Sequence, residues 1–245
     1  MLDPVSIDSS RHALFLDFDG VLVDFAPEPD GVAIDPSLLD RLAVLHDRLD
    51  GALAIVSGRR IADLDRFLSP HRFAAAGVHG LESRVAQGGA IERLAGPEAL
   101  EDVRTHLSTA LAVGSALRLE DKGTALVLHY REHPECEGEA RELMAAAVAG
   151  REGLTVMHGK SIVEVHPAGM DKGEALRRLV RLAPFAGRTP IYVGDDTTDE
   201  FAFAVMAELG GIGVKVGPGE TGATRRLADI GAVKDWLMED VDGGC

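Results

Sequence analysis

Apolar and polar positions follow two different rhythms along this chain. In its outer thirds, short unbroken apolar runs stand at residues 13–16, 53–56 and 191–193, and a last strand-like stretch at 212–216. Such runs read as strands buried on both faces. Amphipathic, helix-like stretches lie between and after them, at residues 36–49, 61–68, 172–182, 199–208 and 233–238. Asp35 and Asp171 are suited to cap two of these helices, and Pro36 fits the first helical turn. The alternation predicts a parallel sheet flanked by helices, an α/β, Rossmann-like core.

The middle of the chain differs. Gly88-Gly89 and Ala95-Gly96-Pro97 break the pattern. Beyond them come helical runs at residues 97–111 and 135–149 and strand-like runs at 118–122, 125–131, 154–158 and 161–166. Lys122-Gly123 and Gly159-Lys160 are short turns of the kind that joins antiparallel neighbours. The expectation is a small α+β unit, residues 82–168, inserted into a core made of residues 1–81 and 169–245. Its strands alternate. Leu126, Leu128 and Tyr130 share one face, opposite Val127, His129 and Arg131. Arg118, Glu120 and Lys122 fall together, as do Lys160, Ile162, Glu164 and His166. Each strand thus sets a charged face against an apolar one.

Composition narrows the function classes. Hydrophobic residues make up 46% of the 245, but aromatics only 4%, so the core must be built mostly from Ala, Leu and Val. The formal charge of −15 disfavours nucleic acid and anionic membrane as partners. It also works against a phosphorylated substrate unless local cations and a metal offset it. The N-terminus MLDPVSIDSS has neither a basic nor an apolar leader segment, and no apolar run approaches transmembrane length. A soluble, cytoplasmic protein is expected. Cys136 and Cys245 show no metal-binding spacing, and a disulfide framework is not expected.

Four elements carry candidate chemistry. The first apolar run ends in Asp17-x-Asp19-Gly20, with two carboxylates able to point the same way as the strand ends. Such groups repel unless a cation joins them or one keeps its proton. Ser57-Gly58-Arg59 ends the second run, where a hydroxyl and exposed N–H groups can hold phosphate oxygens. Lys172 opens a helix after Gly169-Met170-Asp171. Gly194-Asp195-Asp196-Thr197-Thr198-Asp199-Glu200 places four acids in seven residues, a set suited to Mg²⁺. Ser-Gly-Arg and a lone Lys are common at loops and helix starts, and the acidic loop resembles an ordinary helix cap. The order of all four, three of them at strand ends, is what points to catalysis.

DFDG, SGR, DK and GDDTTDE resemble the four motifs of the haloacid dehalogenase-like (HAD) phosphatase superfamily. LEDKG, LHYR, GKSIVEVHP and GVHGLE resemble trehalose-6-phosphate phosphatases, and the likeness runs from about Ala13 to Trp236. One departure is Val21, where the superfamily often has Thr. The resemblance implies a HAD core with an inserted C2-type α+β cap. It implies Asp17 as nucleophile and Asp19 as general acid and base, with Ser57 and Lys172 binding phosphate. Mg²⁺ would sit on the Asp17 carboxylate, the Asp19 carbonyl and Asp195, with Asp196 or Asp199 in support. Gly58 and Arg59 would contact phosphate. His79 and Gly80 lie near the expected hinge, with a packed loop histidine as the plain alternative for His79. Lys122, Arg131, Lys160 and Glu164 would read sugar hydroxyls, with Glu120 and His129 weaker candidates. Taken alone, their charged face would be an ordinary solvated one. The implied reaction is hydrolysis of trehalose 6-phosphate through an aspartyl-phosphate. Sucrose-phosphate, mannosyl-phosphoglycerate or glucosylglycerol-phosphate are alternative substrates. A small-molecule sugar phosphate is the implied partner, with functional pairing to a trehalose-phosphate synthase.

Overall fold

The computed structural model of the chain describes residues 5–24, 26, 31–111, 115–159 and 161–239. Its elements in chain order are β1 (His12–Leu16), α1 (Pro36–Arg48), β2 (Leu53–Val56), α2 (Ile61–Phe67), β3 (Ala74–Gly77), β4 (Glu82–Arg84), β5 (Glu92–Arg93), α3 (Glu101–Ala110), β6 (Arg118–Asp121), β7 (Leu126–His129), α4 (Glu137–Val148), β8 (Leu154–Gly159), β9 (Ile162–Pro167), α5 (Lys172–Leu179), β10 (Thr189–Gly194), α6 (Glu200–Met206), β11 (Ile212–Val216), β12 (Arg225–Leu227) and α7 (Ile230–Met238). Two compact units result, Met1–Glu92 with Asp171–Cys245, and Arg93–Met170.

The first unit is built on an eight-stranded sheet in the order β12-β11-β10-β1-β2-β3-β4-β5. From β12 to β3 all neighbours are parallel. β1 and β2 are buried at every residue, which explains their unbroken apolar runs. Leu38, Leu42 and Leu45 of α1 and Leu176 and Leu179 of α5 join β1, β2 and β10 in one core. As expected, Asp35 caps α1 by accepting from the Ser37 N–H, and Asp171 caps α5 by accepting from the Glu174 N–H.

Several boundaries differ from expectation. β3 and β12 do not stand out in the sequence. β3 is Ala-Ala-Ala-Gly, a run with no strand preference of its own, and it extends because Ala54, Ile55 and Val56 pair with it. The expected insertion began at residue 82, but β4 turns back antiparallel on β3, with Gly77 opposite Glu82. Residues 82–92 therefore belong to the first unit. α5 ends at Leu179, and the acidic loop forms a 3₁₀ turn, Thr197–Asp199, before α6. α3 and α4 are each preceded by a 3₁₀ turn that opens on proline, Pro97–Leu100 and Pro134–Cys136.

The second unit has an antiparallel sheet in the order β6-β7-β9-β8. Glu120 stands opposite Val127, which stands opposite Glu164; Arg118, His129 and Ile162 form the adjacent row. Leu126, Leu128, Val163 and Val165 point the other way, packing with Val103 and Leu107 of α3 and Ala140 and Met144 of α4. The alternation read from the sequence thus separates an apolar face under two helices from a charged one. Lys160 lies outside the described residues, but β8 and β9 on either side of it pair antiparallel, with Gly159 opposite Ile162, as the turn there predicts. No described helix is long and apolar enough to cross a membrane.

Candidate active site

The strand order reverses at β1. The chain proceeds to β2 and β3 on one side, and returns with β10 and β11 on the other. Open α/β sheets bind ligands at the carboxyl ends of their strands at such a point. Asp17 follows the last residue of β1, and its N–H donates to the Val193 carbonyl of β10. Asp195 follows the last residue of β10. Gly20, at φ +75°, lies so close that a Cβ there would overlap the Asp195 carboxylate.

Lys172 and Asp199 complete a buried network. The Lys172 ammonium donates to Asp17 Oδ2 and to Asp199 Oδ1, both at 2.6 Å. Asp17 Oδ1 accepts the Phe18 N–H at 2.7 Å. Asp199 Oδ1 also accepts the Tyr192 hydroxyl at 2.5 Å, while its Oδ2 accepts the N–H groups of Asp195 and Asp196 at 2.7 and 2.8 Å. These bonds outweigh the burial of Asp199 and hold its carboxyl below the usual carboxylate range. Asp17 moves the other way. Burial raises it, Lys172 opposes the rise, and the negative charges of Asp199 and Asp195 add to it. Lys172 is raised despite burial, because two carboxylates face it.

Asp195 is the exposed question in this network. Burial, then the charges of Asp199 and Asp196, push its carboxyl up to about 7. Its Oδ1 is buried with no hydrogen-bond partner. Carboxylate oxygens of Asp17, Asp195 and Asp199 all lie within 4.8 Å of one another. A hard divalent cation suits this oxygen donor set, and would answer both the repulsion and the orphaned oxygen. Asp199 already accepts four hydrogen bonds, so Asp17 and Asp195 have the more available oxygens.

The remaining expected core residues converge on the same sheet edge. Arg59 grips Asp19 with two bonds of 2.7 Å, a bidentate pair. Its guanidinium also lies 5.4 Å from the Phe18 ring centre and 5.0 Å from that of Phe67. Ser57 is buried, and its Oγ accepts the Arg59 N–H at 3.2 Å. Gly58 runs against the His79 ring; a Cβ there would stand 2.7 Å from Nε2. His79 and Gly80 are buried. Asp196 caps the 3₁₀ turn by accepting the Thr197 N–H and forms a capping box with Asp199. Asp199, rather than Asp196, therefore positions Lys172.

The other expected residues lie in the second unit. Lys122 and Glu164 form an ion pair at 2.9 Å, with the Glu164 side chain only 1% exposed. His129 Nε2 meets Glu120 Oε2 at 2.7 Å. Burial would raise Glu120, but His129, Lys122 and Arg118 bring its carboxyl down to about 2. Arg131 follows β7 and is half-buried. Two residues were not anticipated. Tyr192 binds Asp199, and its one signal is a hydroxyl in the otherwise apolar strand Thr-Pro-Ile-Tyr-Val-Gly. Lys215, buried, donates to the Asp195 and Val216 carbonyls. It sits in a strand whose sequence, Ile-Gly-Val-Lys-Val, reads as plain alternation.

Comparison with known proteins agrees with this geometry. The chain is 42% identical over 231 residues to the trehalose-6-phosphate phosphatase of Escherichia coli K12, covering 94% of this chain and 86% of that protein. A crystal structure of a trehalose-6-phosphate phosphatase related protein superposes with a TM-score of 0.70 at 29% identity, covering 92% of this chain and 95% of the other. A HAD-superfamily phosphatase of Bacteroides thetaiotaomicron shares the fold at 19% identity and a TM-score of 0.60, covering 96% of each chain. The family model for trehalose-phosphatase matches residues 15–231. With a match of that length and a relative of that identity, this chain belongs to the trehalose-phosphatase family.

Proposed function

We propose that the chain hydrolyses trehalose 6-phosphate to trehalose and inorganic phosphate, with Mg²⁺ as its cation. The observation that carries this reading is the meeting of Asp17, Asp195 and Lys172 at the switch point of the sheet, in a member of the trehalose-phosphatase family. Asp17, the Asp19 main-chain carbonyl and Asp195 would hold the ion. Bound there, Mg²⁺ supplies positive charge against the repulsion between Asp17 and a phosphate dianion.

The residues divide the work in two half-reactions. A carboxylate oxygen of Asp17 attacks phosphorus and the bond to the sugar oxygen breaks, leaving an aspartyl-phosphate. Asp19 gives its proton to the departing sugar oxygen, then takes one from the water that attacks the aspartyl-phosphate. Phosphate leaves and Asp17 is restored. Lys172 keeps its charge throughout and stabilises the negative charge that builds on the phosphoryl group, and Ser57, Gly58 and Arg59 bind its oxygens. Arg59 bonds once to each Asp19 oxygen, which leaves a second lone pair on each where the transferred proton can sit. The sugar would be read by Lys122, Arg131, Lys160 and Glu164, with smaller parts for Glu120 and His129, and His79 and Gly80 would line the approach. Such an enzyme acts in the cytoplasm on the product of a trehalose-phosphate synthase, with which it would be functionally paired.

The deciding experiment is a panel of phosphorylated sugars assayed for phosphate release with Mg²⁺. Trehalose 6-phosphate should give the highest kcat/KM, above sucrose 6-phosphate, mannosyl-phosphoglycerate and glucosylglycerol phosphate. Asp17→Asn should release no phosphate while keeping the far-ultraviolet circular dichroism of the parent. A preference for another member of the panel would overturn the substrate. Near-normal turnover by Asp17→Asn would overturn the nucleophile.

A further inference from the structure

We propose that Glu82 is a positioning residue for the loop that carries Ser57 and Arg59, in an inference that rests on the phosphatase reading above. Three kinds of observation converge on that loop. It links β2 to α2, and Arg60, the N-cap of α2, supplies no side-chain cap. The Glu82 carboxylate accepts the Ile61 N–H at 2.8 Å, from a side chain that starts β4 and is buried. A carboxylate is costly to bury and is retained where it meets donors that matter. Here it takes the place of the missing cap at the first helical residue.

The second observation is main-chain strapping. The Val78 N–H donates to the Arg59 carbonyl at 2.9 Å, and the His79 N–H to the Ser57 carbonyl at 3.1 Å. The approach is close. A Cβ on Gly77 would stand 2.8 Å from the Arg59 carbonyl oxygen. Residues 77–82 therefore run along the whole of the Ser-Gly-Arg loop and hold it from one side.

The third is backbone strain. Val78 has φ 48°, His79 φ 53° and Gly80 φ 100°, three successive residues in the left-handed region. A β-branched residue there is a marked outlier. Strain of this kind persists where the surroundings over-determine it, and it clusters at functional sites. The strained turn is what brings Val78 N–H, His79 N–H and Glu82 onto one loop. That loop in turn delivers Arg59 to Asp19 and the Ser57 hydroxyl to the sheet edge. Glu82 touches no reacting atom in this scheme. It acts through Ile61 and the loop.

The test compares Glu82→Gln, Glu82→Ala and Leu64→Ala, the last a buried residue of α2 whose apolar side chain makes no hydrogen bond to the loop and whose main-chain bond to the Arg60 carbonyl the substitution keeps. The amide of Glu82→Gln still offers an oxygen to the Ile61 N–H, so it should stay within about threefold of the parent in kcat/KM. Glu82→Ala should fall by about tenfold to a hundredfold in kcat, since small misplacements of catalytic groups cost that much, and should speed hydrogen exchange at residues 57–61. Leu64→Ala should lower the melting temperature at least as far, yet keep kcat. Kinetics are run on trehalose 6-phosphate and on a simple aryl phosphate, well below every melting temperature. Equal kinetic losses in Glu82→Ala and Leu64→Ala, or an inactive Glu82→Gln, would overturn the positioning role. Parent activity on the aryl ester without activity on trehalose 6-phosphate would sink the substrate reading alone. The aryl ester would then still decide the role of Glu82.

Discussion

Asp199 shows how one side chain can organise an active site without needing to touch substrate. It accepts from Lys172, from Tyr192 and from the N–H groups of Asp195 and Asp196. Removing one donor tests how much of that order is shared. Tyr192→Phe deletes a hydrogen bond to a charged, buried acceptor, a loss of about 1.5–3 kcal/mol. In a chain of this size that should lower the melting temperature by roughly 3–12 °C, read by calorimetry. An unchanged melting temperature would mean that water or Lys172 replaces the hydroxyl. Asp195 makes a different prediction. Its folded carboxyl is raised to about 7 from an ordinary value of 3.8, so in the metal-free protein the stability it contributes is full below the ordinary value and is lost as pH rises through about 7. Mg²⁺ held as proposed would favour the ionised form and reverse that loss. The rise in melting temperature on adding Mg²⁺ should therefore be larger at about pH 8 than at about pH 5, and Asp195→Asn should shrink the difference. An equal rise at both pH values, in parent and variant alike, would argue that the ion sits elsewhere.

At the scale of elements, the site depends on close approach between the ends of β1 and β10. Gly20 combines a positive φ with a position where any Cβ would meet the Asp195 carboxylate. Gly20→Ala must displace Asp195 or bend the turn after β1. Phosphatase activity should fall by about a hundredfold or more, with a folded protein by circular dichroism; a fully active variant would show that this turn has slack. Asp-Gly at a strand end was legible in the sequence, because Asp17 and Asp19 follow an unbroken apolar run and Gly20 is the residue that turns. Lys172 was legible through its cap, Asp171. Tyr192 and Lys215 were not, since their partners lie across a strand boundary that one-dimensional spacing does not show. β3 escaped for another reason. Ala-Ala-Ala-Gly favours no strand, and its conformation comes from pairing with β2, a tertiary effect. The same ignorance of β3 hid its return strand β4, and moved the expected insertion point from Arg93 to residue 82.

At the scale of the whole molecule, two kinds of polar chemistry are kept in separate units. The first unit holds the buried cluster of Asp17, Asp195, Asp199 and Lys172, the groups proposed to handle phosphorus. The second holds a charged sheet face on which Lys122 pairs with Glu164 and His129 with Glu120. A chain with a formal charge of −15 has no general attraction for phosphate esters, so affinity must come from local donors, and sugar selectivity from paired ones. If the second face reads the sugar, a change there should separate substrates by their leaving group. Glu164→Gln is the suitable change, because removing the carboxylate outright would break the ion pair that Lys122 makes with it, a costly defect in itself. Gln keeps an oxygen for Lys122 and loses the charge-assisted bond to a sugar hydroxyl. That bond is worth about 1.5–3 kcal/mol, or roughly tenfold to a hundredfold in kcat/KM for trehalose 6-phosphate. A simple aryl phosphate, with no sugar to recognise, should lose about twofold or less on this account. Equal losses on the two esters would mean that Glu164 maintains the sheet through Lys122 and takes no part in recognition. The discrimination would then have to be sought at Arg131 or Glu120.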